Sequence, residues 1–571
     1  MKIRTTALLM ISFWLATLLS AQNSIIIPDT LSGTNFELNL QNGTMPFYSG
    51  QATNTMGANG NILGPTLIMQ KGDFVDITVN NLLDDTTTIH WHGMHVSAEN
   101  DGGPHTIIEP SGSWNPSFTV MDRAATYWYH PHLHEKTNKH VSKGIAGFII
   151  VRDEDEAALE LPRTYGVDDF PLVIQTKDFD ASNQIVVPSN SDDVIMVNAT
   201  LDPMLDIPAQ VVRLRLLNGS SQRVFNVGLS GNQTFYQIGS DDGLLSEPNA
   251  ITRLRMAPGE RAELLIDFSG MQGQTINLKS FASELPNGMY GATYPGMMSM
   301  MTLTGYNPNP MNGNDFDMME LNVVAPTNNP VTSIPTTLLE INPLSESSAN
   351  FSRTLTFTPE AMGPNALNGL FYINNVSFDM NTINYSIPLN NIEIWTLTNQ
   401  SPTAHPFHVH DVHFYVLDRN GAVPPASEQG RKDVILVPAM QSTRVIMQFT
   451  DFANDNVPYM YHCHMLTHED GGMMGQFEVV DNTIGIDDNQ TEMNKFSVYP
   501  NPVLGNELFL ASKAEISSYE IFNTSGFKLL NGLNSISNEE IKIDVGGLPS
   551  GTYIIKAIID GEFYTDKFFK K

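Results

Sequence analysis

The chain has 571 residues, with 61 Asp and Glu against 30 Lys and Arg, a formal net charge of −31 and a single cysteine. This charge argues against nucleic acid and acidic membranes as partners and is compatible with cationic substrates, although acidity alone also keeps an exported protein soluble. A chain of this length has room for three or four domains of ordinary size.

Residues 1–21 have the composition of a secretory signal peptide. Lys2 and Arg4 precede an apolar stretch over residues 7–19, and two small residues follow. The stretch is too short for a comfortable membrane span and has no basic stop-transfer flank. No later segment is apolar for long enough to span a bilayer, so we expect an exported protein that is not membrane-spanning.

The histidines are concentrated rather than scattered. All 15 lie in two windows, residues 90–140 and 405–468. A single histidine is most often a hydrogen-bonded or exposed imidazole, but three His-x-His pairs and one His-x-x-His-x-His string indicate a metal site. The strings are His90-Trp-His92, His130-Pro-His132, His405-Pro-Phe-His408-Val-His410 and His462-Cys-His464.

The only cysteine, Cys463, stands between His462 and His464 and is followed by His468 and Met473. A thiolate, imidazoles and a weak axial thioether are the ligands of a blue-copper electron-transfer site. Successive side chains of a strand point to opposite faces, so His462 and His464 should share one face while Cys463 faces the other. The segment therefore predicts an electron relay between two copper sites. An exported protein with one cysteine has no internal disulfide, so metal chemistry accounts for this cysteine better.

Two parts of the chain repeat the same order of strands and histidines. An alternating strand over residues 75–81 leads to the first His-x-His pair, and another over residues 392–399 leads to His405. A third copy without histidines starts near Val212. Three copies of one alternating pattern predict three β-sandwiches. Metal ligands from the first and third must converge, so we expect these two to pack together, with the middle copy as a spacer.

With these motifs the chain resembles the multicopper oxidases, most closely the bacterial three-domain laccase and cuprous oxidase group, over roughly residues 35–480. The resemblance implies an all-β fold of three cupredoxin-like Greek-key β-sandwich domains and four copper ions as cofactors, one blue and mononuclear, three in a trinuclear cluster. By motif position, the implied ligands are His405, Cys463, His468 and axial Met473 for the blue copper, His90 and His408 for the single copper of the cluster, and His92, His130, His132, His410, His462 and His464 for its paired coppers. The histidines left over are interpreted as exposed or as lying outside the ligand set, with His134 of interest because it is close to His132: His95, His105, His134, His140 and His413.

Two carboxylates are candidates for proton delivery, because forming water from oxygen consumes protons. Asp101, shortly after the first histidine pair, matches the family's cluster carboxylate, and Glu469 adjoins His468. The alternative for Asp101 is a loop role set by the glycines after it. For Glu469 the functional and structural interpretations are balanced.

The end of the chain resembles the C-terminal sorting domain of the type IX secretion route. A polar linker over residues 481–492 precedes Tyr499-Pro-Asn-Pro, and a Gly-Thr-Tyr core and terminal lysines follow. The resemblance implies a small β-sandwich, the type IX machinery as a partner, and a secreted or cell-surface location; an ordinary adhesive β-module is the alternative. The predicted divisions are a signal peptide over 1–21, cupredoxin-like domains over 22–155, 165–325 and 336–482, and the sorting domain over 494–571.

The resemblance implies that a reductant docks near His405 and His468, that electrons pass through Cys463 to His462 and His464, and that O2 becomes water. A phenol- or arylamine-oxidising, laccase-like activity is our leading hypothesis. The alternative is a cuprous oxidase, because methionines cluster over residues 289–319 and thioethers suit Cu(I); part of that cluster equally fits ordinary core packing. A non-catalytic copper carrier or a copper nitrite reductase fits the full set of motifs less well.

Overall fold

The computed structural model describes residues 22–297, 303, 305–307, 309–361, 369–481, 496–512, 516–523, 527–533, 540–559 and 562–571. The predicted signal peptide, most of the polar linker, and Met298, Met300, Met301 and Met362 lie outside these residues. The chain divides into two compact units, Met1–Val480 and Asp481–Lys571. Among the described residues, no helix has the length and apolar character needed to cross a membrane.

The first part of the larger unit is a sandwich of two five-stranded sheets. Leu38, Leu67, Val79 and Ile149 belong to the apolar core between them. In sheet order, the strands are Thr30–Ser32, Thr66–Gln70, Gly147–Arg152, Ala125–His130 and His90–His92 in one sheet, and Thr53–Ala58, Asn35–Met45, Phe74–Asn81 and Ser113–Trp114, with Ser117–Thr119 beside Phe74–Asn81, in the other.

The middle part is a larger sandwich, with its own core around Leu214, Leu264, Phe225 and Leu321. The strands are Asn23–Ser24, Pro203–Pro208, Phe316–Val324, Thr275–Ser280, Phe225–Leu229 and Leu254–Met256 in one sheet, and Thr200–Leu201, Val194–Val197, Asp169–Lys177, Val211–Asn218, Arg261–Asp267, Phe235–Ser240 and Gly243–Ile251 in the other.

The third part repeats the plan of the first, with a core that includes Trp395, Phe407, Tyr461 and Cys463. Its sheets consist of Phe371–Ile373, Phe351–Pro359, Ile392–Asn399, Ser442–Gln448 and Phe414–Arg419, and of Tyr385–Pro388, Met474–Val480, Asn454–Cys463, His405–Val409 and Val434–Val437.

Helices are few and short among the described residues. The α-helices are Ala98–Asp101, Thr137–Lys143, Glu154–Ala157 and Leu466–Asp470, and the 3-10 helices are Ser230–Asn232, Ala282–Glu284, Glu346–Ser348 and Ala426–Glu428. Two of the α-helices carry the carboxylates singled out from the sequence, Asp101 and Glu469.

The smaller unit has two antiparallel sheets around a core that includes Leu508, Ile521, Ile543 and Ile555. The strands are Phe496–Tyr499, Glu507–Ser512 and Glu540–Asp544 in one sheet, and Lys528–Leu533, Ile516–Asn523, Gly551–Ile559 and Glu562–Lys570 in the other. The predicted all-β fold is confirmed in both units.

Strand register places the histidines next to one another. His90 pairs with His130 across adjacent antiparallel strands, and His408 pairs with His462 in the same way. Directly opposed residues of an antiparallel pair project to the same face. Each sheet therefore presents a ready pair of imidazoles, and the alternation of apolar core residues along the same strands sets which face they occupy.

The two units should fold independently, because the core residues of the smaller unit are separate from the cores of the larger one over the described parts of the chain. We predict that truncation after Val480 leaves the thermal unfolding midpoint of the remaining unit unchanged, as measured by circular dichroism. A control that ends after Phe477, and so shortens the sheet strand Met474–Val480, should lower the midpoint. A lower midpoint for the Val480 truncation would show that the last unit stabilises the first.

Candidate metal centre

Ten histidines are buried together in the larger unit. Their side chains are at most 2% exposed. Burial, with neighbouring imidazoles adding to it for most, lowers the pKa values of eight of them, which favours the neutral form that binds metals. These eight are His92, His130, His132, His405, His408, His410, His462 and His464.

The histidines fall into partly overlapping groups, and within each group the candidate ligand atoms lie within 4.8 Å of one another. Each group combines side chains from the first and third parts of the chain, except for the cysteine-containing one, which comes from the third part alone. These groups include His92, His130 and His464; His132, His410 and His462; His90, His408 and His410; and His405, Cys463 and His468, and a further group combines His92 and His408 with Asp433. The consecutive residues His462, Cys463 and His464 thus belong to three different groups. Alternation along the strand predicts that Cys463 is separated from the two histidines, and the structure adds the separation of His462 from His464.

The imidazoles are held so that their lone pairs point at one another. His90 and His408 place Nδ1 2.9 Å from the carbonyl oxygens of Asp101 and Asp433. An Nδ1–H that donates to a carbonyl leaves Nε2 as a bare lone pair, and neither Nε2 has a hydrogen-bond partner among the described residues. Buried acceptors without donors are costly unless a cation lies between them. The donor set therefore fits copper ions, for which imidazole is a suitable ligand.

Both carboxylates singled out from the sequence contact histidines of these groups. Asp101 places Oδ2 2.8 Å from Nδ1 of His410 and Oδ1 3.3 Å from Nδ1 of His90. Gly102 has φ 80°, and a Cβ there would lie 1.7 Å from the carbonyl oxygen of Ile89. The glycine is therefore required for Asp101 to lie this close to His90. The loop geometry set by Gly102 is thus what places the Asp101 carboxylate beside the histidines.

Glu469 contacts a second pair of cluster histidines. Its carboxylate oxygens lie 3.6 Å from Nδ1 of His132 and 3.3 Å from Nδ1 of His462, two members of one triad. Burial, with Asp470 adding to it, raises the pKa of Glu469 well above its usual value. A protonated carboxylic acid at this position can donate to an imidazole nitrogen or deliver a proton.

The cysteine group is compact. Cys463 Sγ lies 3.5 Å from Nδ1 of His405 and 3.7 Å from Nδ1 of His468, and the two nitrogens are 3.2 Å apart. Burial raises the pKa of the Cys463 thiol, so a thiolate there requires a cation beside it. Ser401 Oγ is 2.7 Å from Nε2 of His405, which fixes the orientation of that ring.

The methionine assignment is consistent with the register of the strands. Met474 pairs with His462 and so shares its face, whereas Met473 precedes the strand and its carbonyl oxygen accepts from the Cys463 amide. Met473 is fully buried in the same apolar core as Cys463.

Apolar side chains cover the cysteine group. The sequence resemblance left His405 and His468 closest to solvent, but both imidazoles are buried. The Phe371 ring, itself buried, lies 4.7 Å from the His405 ring and 4.3 Å from the His468 ring, between centroids. Within the described residues, the Phe371 ring therefore packs against both imidazoles of the cysteine group.

The five remaining histidines contact other parts of the protein. His95 bonds to Asp411, His105 to Gln476, His140 to Thr87 and His413 to the carbonyl oxygen of Gly93, while the ring of His134 packs edge-on against Phe378.

Three residues near the cluster escaped the sequence interpretation. Asp433 contacts both His92 and His408, Arg261 binds the carboxylate of Asp433, and Gly259 lies against the His464 ring. Two of these belong to the middle part of the chain, which contributes no ligand histidine but is more than a spacer. Only the spatial arrangement reveals them, because Ala257-Pro-Gly-Glu-Arg261 reads as an ordinary strand start.

The chain is similar to known proteins over most of its length. Residues 39–156 and 347–483 match the description "Multicopper oxidase", and residues 497–571 match "Secretion system C-terminal sorting domain". The multicopper oxidase mco of Staphylococcus haemolyticus is 34% identical over 475 residues, which covers 80% of this chain and 93% of the relative. The chain belongs to the multicopper oxidase family. It is accordingly a copper-using oxidoreductase, and its last domain indicates type IX secretion.

Other relatives carry different names over the same region. The cell division protein FtsP of Xenorhabdus nematophila is 31% identical, covering 79% of this chain and 90% of that protein. Among solved structures, the laccase-like multi-copper oxidase CueO of Ochrobactrum sp. has a TM-score of 0.70 at 32% identity, covering 80% of this chain and all of that one. A Campylobacter jejuni multicopper oxidase described as a metallo-oxidase has a TM-score of 0.68 at 26% identity, covering 81% and 96%.

Phe371 offers a test of how the cysteine group is covered. We predict that Phe371→Ala destabilises the protein by about 3–5 kcal/mol in denaturant unfolding, since a buried aromatic ring is lost, and that it increases carbethoxylation of His468, mapped by mass spectrometry. Tyr372→Ala, the next and more exposed residue of the same strand, is the control and should do neither. Unchanged labelling in Phe371→Ala would show that the ring does not restrict access.

Proposed function

We propose that the chain binds four copper ions, a blue copper at the cysteine group and three in the cluster. The blue copper would be held by His405, Cys463 and His468, with Met473 as the axial ligand. In the cluster, His90 and His408 would hold the single copper, and the two triads, His92, His130 and His464 together with His132, His410 and His462, would hold the pair. The observation that carries this proposal is the convergence of buried, neutral imidazoles whose lone pairs face one another.

We further propose that the enzyme couples one-electron oxidation of a small reductant to the four-electron reduction of O2 to water. The bound coppers would supply the electron storage that this reaction requires. The polypeptide contributes the rest. Cys463 is covalently joined to His462 and His464, so the two kinds of site are linked by one short stretch of backbone. Asp101 and Glu469 contact different histidines of the cluster, two each, where they can hold and move protons.

The surroundings of the cysteine group favour an organic reductant. Nε2 of His405 is hydrogen-bonded to the hydroxyl group of Ser401. A hydroxyl oxygen is a poor ligand for Cu(I). Phe371 provides an aromatic surface against both histidines. Within the methionine cluster, the core packing interpretation holds for the members that the structure buries, which are Met289, Met311, Met318 and Met319. A phenol or arylamine therefore fits better than a metal ion.

One contact supports the alternative that the chain is a cuprous oxidase. Met297 is 47% exposed, and its amide donates to the carbonyl oxygen of Pro402, three residues before His405. A soft thioether thus lies on a segment in contact with the loop that leads to the cysteine group. The deciding experiment compares steady-state oxidation of Cu(I), a phenol and an arylamine, in wild type and Met297→Leu. Turnover of Cu(I) alone, reduced by Met297→Leu, would reverse our preference.

The cysteine assignment predicts a colour change. Cys463→Ser should remove the intense blue absorbance and abolish turnover, because the chain has no other thiolate. His132→Ala is the matched comparison: it should keep the colour and stop oxygen uptake, since His132 belongs to a cluster triad. Absorbance and an oxygen electrode measure both effects. A blue Cys463→Ser protein would refute the assignment of the cysteine group.

The position of Asp101 predicts a pH-dependent defect. Asp101→Asn keeps the size of the side chain but cannot carry a proton, so turnover should fall, most at higher pH where solvent protons are scarcer. Copper content and colour should remain. Asp267→Asn is the control, because the exposed Asp267 accepts the Ser269 amide through Oδ1, as an asparagine side chain can. A rate profile for Asp101→Asn that matches wild type at every pH would limit Asp101 to a structural role.

For location, we propose a signal peptide over residues 1–21 and release or surface attachment after type IX export. The match of residues 497–571 to a sorting domain supports this.

A further inference from the structure

The triad of His92, His130 and His464 contacts the middle part of the chain at two points. In the first, Gly259 has φ +86°, and a Cβ added there would lie 3.0 Å from three atoms of the His464 imidazole. Such a distance is shorter than ordinary van der Waals contact, so the glycine backbone lies directly against the ring. No hydrogen-bond partner for either nitrogen of His464 is found among the described residues, so packing, rather than a hydrogen bond, sets the plane of this ring.

The second contact runs through Asp433. Arg261 and Asp433 are both buried, and the guanidinium binds the carboxylate through both terminal nitrogens, with Nη1 2.6 Å from Oδ1. The same Oδ1 lies 3.2 Å from Nε2 of His92. Because arginine occupies both carboxylate oxygens, Asp433 is placed to orient His92 rather than to bind a metal itself.

This hydrogen bond selects which nitrogen of His92 is available. When Nε2–H donates to Asp433, Nδ1 becomes the lone pair, and Nδ1 lies 3.3 Å from Nε2 of His130. His130 in turn places its own Nδ1 2.8 Å from the Pro131 carbonyl oxygen, which leaves Nε2 as its lone pair. Two acceptor nitrogens then face each other, as the triad requires.

The backbone around this contact is fitted to the ion pair. Gly93, which follows His92, has φ +87°, and a Cβ there would lie 2.5 Å from Oδ2 of Asp433 and 2.6 Å from Nη2 of Arg261. Arg261 is also fixed by the carbonyl oxygens of Thr126, Gly259 and Asp241, at 3.1, 3.0 and 2.9 Å. The guanidinium therefore joins the first, middle and third parts of the chain at one point beside the triad.

We propose that residues 259–261 form a positioning element for the triad of His92, His130 and His464, with Gly259 setting the plane of the His464 ring and Arg261, through Asp433, setting the tautomer of His92. This inference rests on the proposed assignment of that triad to one of the paired coppers. It makes the middle part of the chain, which supplies no ligand histidine, a determinant of metal binding at one of the four copper positions.

The test uses Gly259→Ala and Arg261→Lys in the full chain, loaded with copper. Lysine keeps the charge but loses the two-pronged geometry. Contacts to ligand residues of this kind typically change metal affinity about 10–100-fold when lost. We therefore expect weaker retention of cluster copper against a chelator, with the blue absorbance unchanged. Paired cupric ions cancel each other's EPR signal, so loss of one should expose the signal of the other.

Two control variants reproduce the side effects of the test substitutions, one the backbone strain and the other the loss of a buried ion pair. Gly270 has φ +75°, and no described atom lies within 4 Å of its Cβ position, so Gly270→Ala carries the backbone cost alone. Arg223 binds both oxygens of Asp192 and is equally buried, so Arg223→Lys disrupts a comparable ion pair away from the cluster. Both controls should retain wild-type copper and EPR spectra, whatever stability they lose.

The outcomes separate the two claims. If wild type binds no copper beyond the blue site, the proposed ligand assignment and this inference both fall. If wild type binds the cluster but both test variants retain it as well as wild type, or the controls lose it equally, only the positioning role is overturned. Should Gly259→Ala fail to fold, Arg261→Lys carries the test alone.

Discussion

The burial of ten imidazoles in one region is the constraint on which the rest of the structure depends. Buried imidazoles whose lone pairs are directed at one another leave those lone pairs without donors, and cations between them supply the missing partner. The acceptors that fix the tautomers of His90 and His408 are the backbone carbonyl oxygens of Asp101 and Asp433, to which Nδ1–H donates. These hydrogen bonds leave Nε2 of each ring free to bind a metal ion.

That constraint explains why three sandwiches are needed. Strand register supplies pairs of histidines within each of two sheets, but every triad draws on both sheets and so forms only at the boundary between the first and third parts. The middle part lies against the same boundary through Arg261 and Gly259. The metal site therefore depends on contacts between the three parts of the chain and not on the order of its residues in the sequence.

The sequence predicts those features that depend on local spacing. The alternation of His462, Cys463 and His464 predicts that Cys463 serves a different site from its two neighbours, and the repeated strand-then-histidine order indicates the paired sandwiches. The cover over the cysteine group was not predictable, because Phe371 lies more than thirty residues before His405 and looks like any core aromatic. Asp433 and Arg261 likewise have meaning only once distant strands meet.

Similarity to known proteins establishes the family of this chain but not its reductant. Relatives that match this chain over similar lengths include a multicopper oxidase and a cell division protein, so overall likeness establishes a copper-using oxidoreductase, and the ligand set and its surroundings have to decide the copper count and the reductant. The most direct measurement is anomalous diffraction at the copper absorption edge from crystals of the copper-loaded protein. The account predicts four anomalous peaks, one beside Cys463 and three among the eight cluster histidines. A cluster without peaks, or peaks at other residues, would contradict it.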